Sequence, residues 1–176
     1  MLRPAAWQCL TGGVILHLCL GTLYLWGNVS VYVTSYLRLY NPDITEGETL
    51  YILAGAMLGQ ACVMTAGGLL QHVLGIRLTA LAGGWLLAGG VLLSSMATTL
   101  AQFVVTYGVM FGVGIGLAYS CPLVCGFMWM PKRRGFVSGV IVAGFGGGAF
   151  VFNALASVYV NPENESPTIG YEGQVC

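Results

Sequence analysis

The side chains able to do chemistry in this sequence are few, and most of them recur at helical intervals. Gly13, His17, Gly21, Tyr24, Asn28, Tyr32 and Ser35 follow one another every three or four residues. At about 100° per residue they form a single polar stripe on a helix running from about residue 6 to residue 36. An imidazole, two phenols and an amide on one face offer hydrogen bonds, and His17 adds an ionisable ring. Two roles stay open for it: a neutral imidazole bonded to a neighbouring helix, or the lining of a cavity. Cys121 and Cys125 also share a helix face, but no histidine or carboxylate lies near them in sequence to complete a metal site, so no metal is expected. The glycine run Gly144-Phe145-Gly146-Gly147-Gly148 follows an apolar segment instead of a strand and lacks the lysine of a phosphate loop. No catalytic residue, cofactor or enzymatic activity is expected from these patterns.

The elements that must position this stripe are set by composition. Of 176 residues 57% are hydrophobic and 7% charged, with a mean hydropathy of +0.82, whereas soluble domains carry about a quarter charged residues. The expected class is an all-α integral membrane protein in contact with the lipid bilayer. A net charge of zero gives no reason to expect a nucleic-acid partner. Five apolar segments, about 6–36, 50–70, 78–98, 100–130 and 136–160, are each about long enough to cross a bilayer. They form one transmembrane domain, 1–160, followed by a polar tail, 161–176. The first segment is too long for a signal-peptide core and is read as a retained span. A polar stripe on such a span must face protein or water, because unsatisfied donors are costly in lipid.

Small residues mark the other faces. Gly108, Gly112 and Gly116 recur every four residues in the fourth span, as do Gly135, Gly139, Ala143 and Gly147 in the fifth. Each row predicts a face on which backbones approach closely. The second span carries Gly55, Gly59 and the amide Gln60, and the third is broken up by Gly83, Gly84, Gly89 and Gly90. Pro122, inside the fourth span, is expected to kink it or mark its end. Between the last two spans, Lys132, Arg133 and Arg134 make a basic turn, read as an orientation signal and a contact for lipid headgroups. With the N-terminus cytoplasmic, Arg3, Arg77 and that turn lie inside and only Arg38 outside, together with all six acids. Five basic residues against one is a clear bias. The tail is then non-cytoplasmic and carries the sequon Asn164-Glu165-Ser166, weakened by Pro167; Asn28-Val29-Ser30 lies within a span and is unavailable. Cys176 can be free or paired.

The turn Gly68-Leu69-Leu70-Gln71-His72-Val73-Leu74-Gly75-Ile76-Arg77 resembles the loop signature GxLADRxGRR of the major facilitator superfamily. The run from Gly112 to Gly148, reading GxGxGxAYxxP, then Trp129-Met130-Pro131-Lys132, then RGxxSGxxxAGFGGG, is similar to its oxalate/formate antiporter-like and monocarboxylate transporter branch. Gly21-Thr22-Leu23-Tyr24-Leu25-Trp26 in the first span is similar to that branch as well. The chain departs from the signature at His72, which stands where the family usually has an aspartate, and at Val73, which replaces a basic residue. It resembles an N-terminal six-helix half lacking its last helix. The resemblance implies transport of small carboxylates by alternating access, as part of a larger carrier. His17, Tyr24, Asn28 and Tyr119 would offer hydrogen bonds to a small organic anion, and the missing C-terminal half would supply positive charge. Gly68, His72, Gly75, Arg77, Gly112, Gly116, Gly135 and Gly139 would serve packing and conformational change. The alternative is a five-span membrane protein without transport activity of its own, a truncated product or a subunit that binds a partner through its glycine faces.

Overall fold

The computed structural model describes residues 4–160, with side chains through Tyr159. The expectations placed on Arg3, on the tail 161–176 and its sequon, and on Cys176 lie outside the described residues. Five helices are long and apolar enough to cross a membrane: α1 (Pro4–Arg38), α2 (Glu46–Val73), α3 (Ile76–Ser94), α4 (Leu100–Trp129) and α5 (Arg134–Val160). A 3₁₀ turn, Pro131–Arg133, precedes the last. No strand occurs among the described residues. The protein is all-α and integral to the membrane.

Local chemistry sets the helix ends. The Thr45 N–H donates to Glu48 Oε2 at 2.9 Å, which starts α2. At the start of α4 the Gln102 N–H donates to Thr99 Oγ1 at 3.3 Å, and the Thr99 N–H donates back to Gln102 Oε1 at 3.2 Å. Both are reciprocal caps of the Thr-x-x-Glu/Gln type. The α3 helix ends at Ser94, short of residue 98, where Ser94 and Ser95 hydroxyls bond back to Val91 and Leu92 carbonyls at 2.7 and 2.6 Å. Serine hydroxyls that return to their own helix compete with its continuation. Gly75 links α2 to α3 at φ +84°, a region that side-chain-bearing residues rarely enter.

Two irregularities interrupt the long helices. Residues Gly21–Leu25 of α1 tighten to a 3₁₀ turn, and Val104–Met110 of α4 widen to a π-helical turn. Pro122 does not end α4, which continues to Trp129.

The α4 helix is central and packs on the other four. Against α2, each glycine of its row meets the residue 56 positions earlier. A Cβ built on Gly108 would lie 2.9 Å from the Ile52 carbonyl oxygen, one on Gly116 would lie 2.8 Å from that of Gln60, and one on Gly112 would overlap the Ala56 carbonyl. Against α3, a Cβ on Gly83 would lie 2.7 Å from Gly114 O. Contacts this short are open only to glycine, and close approach is what associates helices in lipid.

The small-residue face of α5 differs from the expected one. Gly135, Gly139 and Gly147 have open space where a Cβ would be, whereas Cβ atoms on Gly144 and Gly148 would run into the Val14 and Leu18 carbonyls of α1. A spacing of four is satisfied by either row. The row that seats α5 is the one in phase with the buried Val137, Ile141 and Phe145.

Three apolar clusters fill the bundle. Leu20, Leu23, Ala56, Phe111, Ile115, Ala118 and Phe145 form the middle one. Trp26, Leu37, Ile44, Ile52, Ala97 and Phe103 close one end. Ala6, Leu10, Met130, Val137 and Ile141 close the other. Among the described residues, Arg77 and the turn Lys132–Arg134 lie at this second end, and Arg38, Asp43, Glu46 and Glu48 lie at the first.

Candidate functional site

The stripe of α1 starts as the spacing predicts and then turns away. Gly13, His17 and Gly21 are buried. Beyond Gly21 the buried positions are Leu23 and Trp26, while Tyr24 is 50% exposed and Tyr32 46% exposed. The 3₁₀ turn explains this. Over five residues at about 120° each, a 3₁₀ turn rotates the helix face about 100° further than an α-helix does. The buried side beyond Leu25 is therefore re-aimed, and Asn28 and Tyr32 emerge on the open side; Tyr24, three residues from Gly21, stays on that residue's face, half-exposed beside Phe145.

His17 is wholly buried; its ring approaches the Gly13 carbonyl one turn earlier in α1, but neither Nδ1 nor Nε2 makes a well-formed hydrogen bond or meets a partner on another helix. Its ring lies 4.8 Å from that of Tyr119 on α4 and 6.1 Å from that of Phe145 on α5. Phe145 also meets Tyr24 edge-on at 5.4 Å and Tyr119 at 5.5 Å. Three of the four candidate residues, His17, Tyr24 and Tyr119, thus gather around one phenylalanine, drawn from α1, α4 and α5. The fourth, Asn28, is exposed on α1 one turn beyond Tyr24. An imidazole with both nitrogens unpartnered is costly to bury. What the cluster supplies chemically is one unused hydrogen-bonding ring, two phenols and an apolar wall, without a charged side chain among them.

Phe145 is absent from the candidates read in the sequence, because it lies in a glycine run that reads as packing alone. Gln71, inside the turn that resembles the family signature, is absent from those candidates as well. Its Nε2 donates to Gly68 O at 3.1 Å within α2 and to Ser120 Oγ of α4 at 3.4 Å, which ties the signature turn to the residue after Tyr119. In that turn Gly68 is half-buried, and His72, Gly75 and Arg77 are exposed. Gly112 and Gly116 are buried against α2, and Gly135 and Gly139 are exposed. At the other end of the bundle, Tyr107 stacks on Phe111 at 5.0 Å and meets Trp26 at 5.3 Å.

No protein-family model matches the chain. The chain is 36% identical to apicoplast pyruvate carrier 1 of Toxoplasma gondii, with 89% of this chain and 35% of that protein covered. It is 26% identical to the uncharacterized MFS-type transporter YhjX of Escherichia coli (strain K12), covering 85% and 36%. It is 35% identical to monocarboxylate transporter 9 of Gallus gallus, covering 46% and 16%. The chain therefore spans about a third or less of the length of these relatives. They are carriers and transporters, not enzymes, and the chain is a multi-pass membrane protein of transporter-like type.

Proposed function

We propose that this chain forms one wall of the substrate pathway in a larger carrier of the major facilitator type, which moves small carboxylates across a membrane by alternating access. The observation that carries the reading is His17, fully buried beside Tyr119 with both ring nitrogens unused. A carboxylate or its hydration water reaching that ring would supply the missing partner. The exposure of Tyr24 and Asn28 within a span supports the same reading. Polar groups in lipid are costly, so an open polar face on α1 belongs toward a water-filled path or a further protein surface. The rest of the carrier would contribute the opposite wall and the positive charge that His17, Tyr24 and Tyr119 do not provide. The named relatives point to pyruvate and other monocarboxylates as the first substrates to try, with oxalate and formate as the finer alternative. The basic residues gathered at one end support an N-terminus on the cytoplasmic side.

The test is uptake of labelled pyruvate, lactate, formate and oxalate by the natural gene product in proteoliposomes. Saturable uptake of at least one, impaired by Tyr24→Phe or Tyr119→Phe but not by Cys62→Ala, is the expected outcome. Wild-type uptake in all three variants would remove the pathway assignment. An antibody against residues 161–176 separates this reading from a five-span protein without transport: a band in source membranes beyond twice 18.5 kDa belongs to a carrier, and one near that mass does not.

A further inference from the structure

Cys9 and Cys125 are 116 positions apart in sequence, and their Sγ atoms lie 2.7 Å apart across the α1/α4 contact. Both residues are partly exposed and carry free thiols. The approach is imposed by the backbone, because the whole seam runs in one antiparallel register. One turn along from Cys9, a Cβ on Gly13 would lie 3.1 Å from Pro122 Cβ. One turn further, the His17 ring meets the Tyr119 ring at 4.8 Å. The cysteines close this seam near the end of the bundle that carries Lys132, Arg133 and Arg134, four residues before α4 ends at Trp129. Their sulfurs are already within one bond-forming movement of the about 2.05 Å of a disulfide.

We infer that Cys9 and Cys125 are a redox modification site, a thiol pair that closes reversibly into a disulfide joining the first span to the fourth. The oxidant is a low-molecular-weight disulfide. One cysteine, as thiolate, attacks a sulfur of that disulfide, forms a mixed disulfide and releases one small thiol. The second cysteine, deprotonated in turn, attacks the protein sulfur of the mixed disulfide and expels the other small thiol. Two protein thiols and one small disulfide become one protein disulfide and two small thiols, so the two electrons and both protons end on the small molecules. A reducing dithiol reverses the exchange. Eight residues of α-helix, about 12 Å, separate Cys9 from His17. The closed pair fixes the α1/α4 register at the His17–Tyr119 contact and stops the two helices from sliding past one another there.

The experiment counts thiols and needs no transport assay, so its outcome is independent of the carrier reading. Membranes holding the full gene product are reduced, exposed to oxidised glutathione, denatured and labelled with a maleimide-polyethylene glycol. The expected result is two fewer labels per chain than in the reduced sample, restored by dithiothreitol, with no such loss in Cys9→Ser or Cys125→Ser. Tandem mass spectrometry of the oxidised wild type yields a peptide pair joined through Cys9 and Cys125. An unchanged label count, or a loss that persists in both serine variants, overturns the inference. Should either variant fail to accumulate, the wild-type peptide pair decides: its absence after full oxidation overturns the inference equally.

Discussion

Along one side, α4 offers Gly108, Gly112 and Gly116 to the carbonyls of Ile52, Ala56 and Gln60 on α2. Along another it offers Tyr119, Pro122 and Cys125 to His17, Gly13 and Cys9 on α1. The first seam brings backbone to backbone and leaves no room for a side chain. The second is held apart by rings and sulfurs and contains an imidazole with no partner. Apolar lipid gives helices no hydrophobic reason to associate, so the glycine seam supplies the packing that lets the aromatic seam carry a polar group at a loss of stability. Scaffold and site share one helix and divide its faces.

Substitutions that exchange the character of the two seams test this division. The largest effect is expected from Gly112→Val, whose branched side chain would overlap the Ala56 carbonyl. Forcing extra carbon into such a contact costs about 1–3 kcal/mol or more, and thermal melting in detergent should show loss of most of the folded protein. If Gly112→Val melts like the wild type, the α2/α4 seam is not the scaffold.

His17→Leu is expected to separate stability from function. Removing a buried imidazole that lacks a partner relieves a penalty of about 1–3 kcal/mol, so the melting temperature should rise. Uptake should fall about tenfold or more, equivalent to about 1.4 kcal/mol of anion binding. A fall in both would make His17 a structural residue and erase the contrast between the seams.

Tyr119→Phe and Tyr24→Phe keep the ring contacts with Phe145 and lose only the hydroxyl. Each should lower uptake about two- to tenfold, the range of one hydrogen bond at about 0.5–1.5 kcal/mol, with an unchanged melting curve. The smallest effect belongs to Gly139→Ala on the open face of α5. Nothing lies within 4 Å of the added carbon, and stability should stay within about 0.5 kcal/mol. A marked loss of uptake from this change, with folding intact, would show that the open face meets another part of the carrier.

The sequence by itself determined the class of the protein and much of its framework. Apolar length and low charge require membrane spans, since a backbone in lipid must satisfy its own hydrogen bonds. The spacing of Gly108, Gly112 and Gly116 marked a packing face, and Gly13, His17 and Gly21 marked the buried start of a polar stripe. These are local properties, sums over neighbours in the chain. Which row of α5 would be covered, where the stripe of α1 would turn, and that Phe145 and Cys125 would meet residues more than a hundred positions away were decided by the tertiary structure. A 3₁₀ turn of five residues re-aims α1, and the carbonyls of Val14 and Leu18 select Gly144 and Gly148 over Gly135 and Gly139. Both depend on how closely two distant backbones approach, and residue spacing within one helix says which faces could pack but not which of them finds a partner.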